Sequence, residues 1–192
     1  IVFASSSSVY GDSAALPMKE DVPLHPVSPY GVSKLAAEKL CELYFSNHGL
    51  PTVSLRYFTV YGPRQRPDMA FHRLLKCARD GNTFELFGDG RQTRDFTYIS
   101  DAVAATIAAS ERGRHGAVYN IGGGSRVSML EIIETITDVT GKSISIERRD
   151  TQKGDMRDTY ADTSAARADL GYEPRVALRE GIAQEWAWIE TV

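Results

Sequence analysis

Ile1-Val2-Phe3-Ala4-Ser5-Ser6-Ser7-Ser8-Val9-Tyr10-Gly11 is the stretch that decides the fold class. Its first four residues are apolar without alternation, the pattern of a buried parallel strand. That strand delivers a run of hydroxyls at its C-terminal end. Asp12 to Pro29 follows with four of the eight prolines and reads as a long loop, a length that argues for a functional role. Ser28-Pro29 then opens a helix to about His48, stopped by Gly49 and Pro51. Leu35, Ala36, Leu40, Leu43 and Tyr44 give this helix an apolar stripe.

The helix begins Tyr30-Gly31-Val32-Ser33-Lys34. Four residues is about one turn, so the phenol and the ammonium share a face. With a reference pKa of ~10, a phenol is a poor base at neutral pH, and a neighbouring ammonium favours its phenolate form. A base, its electrostatic activator and upstream hydroxyls together point to proton removal from an alcohol. The spacing alone also fits a surface pair with an aromatic anchor.

Working outward, Thr52–Tyr57 reads as a second strand, followed by the turn Tyr61-Gly62-Pro63. Helices are expected over Phe71–Arg79, from a cap at Asp101 to about Glu111, from Ser128 to Thr140, over Thr163–Asp169 and over Leu178–Ile189. Ser128-Met129-Leu130-Glu131 is a capping box. Strands are expected over Phe84–Phe87, Arg94–Tyr98, Ala117–Ile121 and Ser143–Glu147. Strands alternating with helices make an α/β fold with a largely parallel sheet. Gly122-Gly123-Gly124 lacks the spacing of a dinucleotide fingerprint and reads as a tight turn after a strand.

The 192 residues suffice for one sizeable core or a domain with an appendage, with 42% apolar and 24% charged residues. A net charge of −3 leaves no basic footprint for nucleic acid. Neither a membrane-length apolar run nor a signal peptide is visible. Cys41 and Cys77 sit singly in helical patterns, and His25, His48, His72 and His115 show no ligand spacing. A cytoplasmic, metal-independent protein is the expectation. The chain opens directly in an apolar strand, which points to a fragment.

Six motifs in order close the reading: residues 5–11, Ser28 to Lys34, Leu55 to Pro63, Gly88 to Ile99, Tyr119 to Gly124 and Lys153 to Asp162. Together they resemble the extended short-chain dehydrogenase/reductase family in its nucleotide-sugar epimerase and dehydratase branch, across essentially the whole chain. The resemblance implies the C-terminal part of a Rossmann-like parallel sheet plus a smaller mixed α/β substrate-binding lobe. Residues 1–62 would complete an NAD-binding core, and 63–192 would form the nucleotide-sugar lobe, with 93–125 returning to the core. The family's glycine fingerprint would precede Ile1.

The same resemblance implies residue roles. Tyr30 would be the base, Lys34 would hold the nicotinamide ribose and favour the phenolate, and Ser6, with Ser7 sharing the task, would bond the reacting oxygen. Tyr57 would lie beside the nicotinamide, or serve only as a strand-end core aromatic. Arg94 would grip the substrate diphosphate; otherwise it is a solvated turn charge. Glu85 and Phe87 would line the base pocket, or pack an edge strand. Asp155 would close a phosphate-and-ribose loop, with Gln152 standing where many relatives have arginine. Dehydratases of the branch carry an acidic pair before Val-Tyr-Gly, and decarboxylases a glutamate; this chain has serines. Thr59 followed by Gly62-Pro63 and Arg66-Pro67-Asp68-Met69-Ala70 resembles the UDP-glucuronate 4-epimerases. Thr59 and Arg66 would then receive the sugar carboxylate, unless Arg66 is merely a loop charge. The expectation is an NAD-dependent 4-epimerase of a UDP-hexose or UDP-hexuronate, acting as a homodimer. The alternatives are a dehydratase or reductase, or a non-catalytic nucleotide-sugar-binding fragment.

Overall fold

A computed structural model describes residues 1–12, 14–151 and 156–192. Its central sheet is parallel, in the order β1 (Val2–Ser6), β2 (Val53–Tyr57), β7 (Val118–Ile121). Val2 pairs with Val53 and Ser6 with Tyr57, and Tyr57 in turn with Ile121, so the three strands end level. Helix α1 (Pro29–His48) links β1 to β2. Ser28 caps it by accepting from Gly31 N at 3.1 Å, Pro29 occupies its first turn, and Gly49 closes it at φ 67°.

Alternation along β2 sorts the two faces of the sheet. Val53 and Leu55 pack with Ala105, Ala108 and Ala109 of α3 (Ile99–Arg112) and with Ala166 and Leu170 of α5 (Ser164–Leu170). Arg56 points the other way, to α1. The expected burial of β1 fails in part. Within this chain Val2 and Phe3 are half-buried and Ala4 is exposed, with β1 outermost of the three strands.

A second core joins α2 (Ala70–Asp80), α4 (Met129–Thr140) and α6 (Leu178–Ile189) to three short pairs of strands. β3 (Val60–Tyr61) runs parallel to β6 (Thr97–Tyr98), and β4 (Thr83–Phe87) parallel to β9 (Ser145–Arg149). β5 (Thr93–Asp95) runs antiparallel to β8 (Arg126–Ser128). Stacked Tyr61 and Phe71, 4.6 Å apart, and edge-on Phe96 centre this core.

Several boundaries differ from expectation. The strand expected over Arg94–Tyr98 is two strands broken at Phe96, because the halves pair with different partners. Asp101 does not cap α3. It lies in the first turn, buried, and accepts from Arg175 N and Val176 N at 3.1 and 3.2 Å. The strand expected over Ser143–Glu147 starts at Ser145 and is exposed throughout. The glycine turn is packed, not open: a Cβ on Gly123 would lie 1.9 Å from Phe96 O, and Gly123 N donates to Asp95 at 2.7 Å. Among the described residues no helix is long and apolar enough to cross a membrane, and no cluster of His, Cys, Asp or Glu is fit to hold a metal.

Candidate active site

The site starts where β1 ends. Ser6 caps a 3-10 turn, Ser7–Val9: its Oγ accepts from Ser8 N at 3.2 Å and donates to Ser8 Oγ at 3.1 Å. The first turn of α1 rests on this serine turn. A Cβ on Gly31 would stand 2.4 Å from Ser8 O and 2.9 Å from Pro26 Cβ, so only glycine permits the approach. Tyr30 therefore stands beside the hydroxyls with 55% of its surface exposed. Lys34, one turn on, donates from Nζ to Ala4 O at 2.9 Å. Its ammonium is 5.5 Å from the Tyr30 ring centroid and 5.3 Å from that of Phe3. Lys34 thus fixes the first turns of α1 to β1 two residues before Ser6, and Ser7 is buried.

One turn further, Glu38 is buried and accepts from Ser5 Oγ. It also holds Arg56 of β2, at 3.0 Å from Nε and 2.8 Å from Nη2. Arg56 Nη1 donates to the Tyr10 hydroxyl at 2.9 Å, which donates to Asn120 Oδ1 at 2.7 Å. Burial pushes the Tyr10 phenol up to about 12, keeping it neutral. Lys34 and Glu38 therefore staple α1 to successive residues of β1, Ala4 and Ser5. The Glu38–Arg56 pair escaped the sequence reading. Its signal was Arg56, the lone charge in the strand Val53–Tyr57, since a buried ion needs a partner.

Past β2 the chain enters a cavity of about 480 Å³. Four expected substrate residues line it: Thr59, Glu85, Phe87 and Arg94. Asp68, Arg73 and Gln92, not singled out beforehand, line it too. Arg94 Nη1 donates to Thr93 O at 3.0 Å and Arg157 O at 2.7 Å. Phe87 and Gln92 also border a second cavity of about 290 Å³, with Thr151 and Met156. Arg66 does not line either cavity. Its side chain is 75% exposed and paired with Asp68 at 3.2 Å. Tyr57 packs against the sheet–α3 cluster, its hydroxyl 2.6 Å from Thr106 Oγ1, and burial raises its pKa. Tyr57 pairs in register with Ser6, so the strand ends connect the serine turn to the cavity that Thr59 borders. Asp155 and Gln152 lie outside the described residues.

Known proteins share this fold. The sequence model described as the NAD dependent epimerase/dehydratase family matches residues 1–122. An uncharacterized UDP-glucose epimerase of Bacillus subtilis (strain 168) is 45% identical over 192 residues, covering 100% of this chain and 60% of the relative. A UDP-glucuronate 4-epimerase of Thermodesulfobacterium geofontis (strain OPF15) is 38% identical over 190 residues, 98% of this chain and 58% of its own. The crystal structure of UDP-glucuronic acid 4-epimerase from Bacillus cereus, in complex with UDP-glucuronic acid and NAD, superposes with a TM-score of 0.95 at 46% identity. That match covers 99% of this chain and 61% of the other. The chain thus spans about three fifths of the length of these relatives. With the greater part of its length matched by the family's model, and 99% of it superposed on a neighbour 46% identical, the chain belongs to the NAD dependent epimerase/dehydratase family.

Proposed function

We propose that this chain carries the catalytic and nucleotide-sugar-binding part of an NAD-dependent 4-epimerase acting on a UDP-hexose or UDP-hexuronate. The observation that carries the reading is the Tyr30–Lys34 pair, anchored through Ala4 O to the strand that ends at Ser6. Tyr30, as the phenolate that the Lys34 ammonium favours, takes the proton from the sugar hydroxyl and becomes a neutral phenol. Ser6 bonds the reacting oxygen, with Ser7 behind it. NAD, held by Lys34 and flanked by Tyr57, would supply the hydride acceptor and donor for the sugar carbon. The residues fit that cofactor: the Lys34 ammonium keeps donors beyond the one used on Ala4, beside an exposed Tyr30. Tyr57 would flank it, held by Thr106.

Substrate grip falls to the cavity. Arg94 takes the diphosphate, Phe87 borders the base with Glu85 on the same strand beside it, and Thr59 meets the sugar. Asp155, outside the described residues, is our further candidate for contact with phosphate and ribose. Arg66 receives a sugar carboxylate by leaving Asp68, a solvent-exposed pair that costs little to break. We assign residues 1–62 to the NAD-binding core and 63–192 mainly to the nucleotide-sugar lobe, with 93–125 returning to the core. The protein would work as a cytoplasmic homodimer joined through α1, whose Leu40, Leu43 and Tyr44 are exposed.

The experiment is a panel of UDP-, GDP- and dTDP-sugars assayed with the full-length protein. The expected result is the C4 epimer of a UDP-sugar without net NADH. A 4-keto-6-deoxy product would make it a dehydratase, and binding without turnover a non-catalytic module.

A further inference from the structure

A chain of charges runs along the mouth of the cavity. In the parallel pair β4–β9, Glu85 stands opposite Glu147 and Phe87 opposite Arg149. Arg149 donates Nε and Nη2 to Glu85 Oε1 at 3.1 and 3.0 Å, and Nη2 also reaches Glu147 Oε2 at 3.1 Å. Arg73, from α2, approaches the other Glu85 oxygen only to 3.8 Å, beyond hydrogen-bond length. Its guanidinium lies 5.2 Å from the centroid of the Phe84 ring and lines the cavity. Among the described residues the Arg73 side chain makes no hydrogen bond. A guanidinium with five donors, backed by an aromatic face and turned to a cavity, is built to receive an anion.

We propose that Arg149 is a positioning residue for the substrate's diphosphate. By holding Glu85 it leaves Arg73 available as a second cation beside Arg94. This rests on the nucleotide-sugar reading of the cavity and adds to it. Glu85 then acts through charge, not as a base contact. Without Arg149 its carboxylate draws Arg73 across the 3.8 Å gap, and a nucleoside diphosphate loses a charge-assisted contact.

The test is calorimetric titration of UDP into the full-length protein and its variants, with a melting temperature for each to show folding. Arg149→Gln is expected to weaken UDP about three- to tenfold. It should raise KM for the UDP-sugar and leave kcat unchanged. Glu85→Gln alone should bind UDP as tightly as the wild type or more so. The double variant Arg149→Gln, Glu85→Gln should recover wild-type affinity, a rescue that a merely structural role of Arg149 does not produce. Arg73→Gln should weaken UDP by a similar factor, and adding Arg149→Gln to it should change nothing more. Unchanged affinity in Arg149→Gln, or no rescue in the double variant, overturns this inference alone. A wild-type protein that binds no UDP overturns the nucleotide-sugar reading and this inference with it.

Discussion

Tyr30 is more than half exposed, while the side chains that fix its surroundings are buried. Its proposed role makes Tyr30→Phe the sharpest substitution. Turnover should fall by about 10²- to 10⁴-fold, the usual range for a lost acid–base group, with UDP-sugar affinity unchanged by calorimetry. Undiminished turnover would remove Tyr30 from the chemistry. Behind it, Glu38→Ala should destabilise the protein by about 3–5 kcal/mol, because it strands the Arg56 charge beneath α1. Urea unfolding measures this; a loss below about 1 kcal/mol would mean that water or a neighbour replaces the carboxylate. At this scale the sequence was partly legible. The i, i+4 geometry of Tyr30 and Lys34 is local, so helix periodicity reveals it. The reach of Lys34 to Ala4 O and of Glu38 to Arg56 depends on how α1 docks on the sheet, which no local pattern records.

Elements with their own start and stop chemistry were readable. α1 follows from Ser28, Pro29 and Gly49, and α4 from its capping box, in which Ser128 and Glu131 bond reciprocally at 3.2 and 2.7 Å. The strands β3 and β8, of two and three residues, are too short to show a period, and tertiary pairing alone creates them. α6 carries a titration that the sequence did not reveal. Glu185 is fully buried, its Oε2 accepting from Gly62 N at 2.9 Å while Oε1 has no partner among the described residues. Burial pushes its carboxyl from 4.5 up to about 8. A carboxyl whose folded pKa lies above its unfolded one contributes stability that is complete below about pH 4.5 and lost as pH rises through about 8. The melting temperature should therefore fall between pH 5 and pH 8.5, and Glu185→Gln should flatten that fall while keeping the bond to Gly62. Asp95, raised by burial to about 6, adds a slope of the same sign in the lower part of the window. Both proteins share it, so the difference between the two curves isolates Glu185. Parallel curves would show that Glu185 is already ionised in the folded state.

Across the whole molecule, the ends of β1 and β2 carry the proposed reaction centre, and the cavity beyond Thr59 carries the proposed grip on the nucleotide sugar. The fold class and the order of these parts were legible because six motifs survive along the chain. The convergence of Thr59, Glu85, Phe87 and Arg94 on one cavity, and the position of Arg66 outside it, come from packing between segments far apart in sequence. α1 exposes Leu40, Leu43 and Tyr44, so a homodimer joined there should dissociate when Leu40 and Leu43 are both changed to Glu, as read by sedimentation velocity. An unchanged sedimentation coefficient would locate the contact elsewhere. The central claim is epimerisation at C4 by the Tyr30–Lys34 pair. Its most direct test is product analysis by NMR of UDP-glucuronate and UDP-glucose incubated with the full-length protein and with its Tyr30→Phe variant. The account predicts the C4 epimer of at least one substrate from the wild type, no net NADH, and about 10²- to 10⁴-fold slower formation of that epimer by the variant. Equal rates of epimer formation by both proteins, or no epimer of either sugar from the wild type, would contradict it.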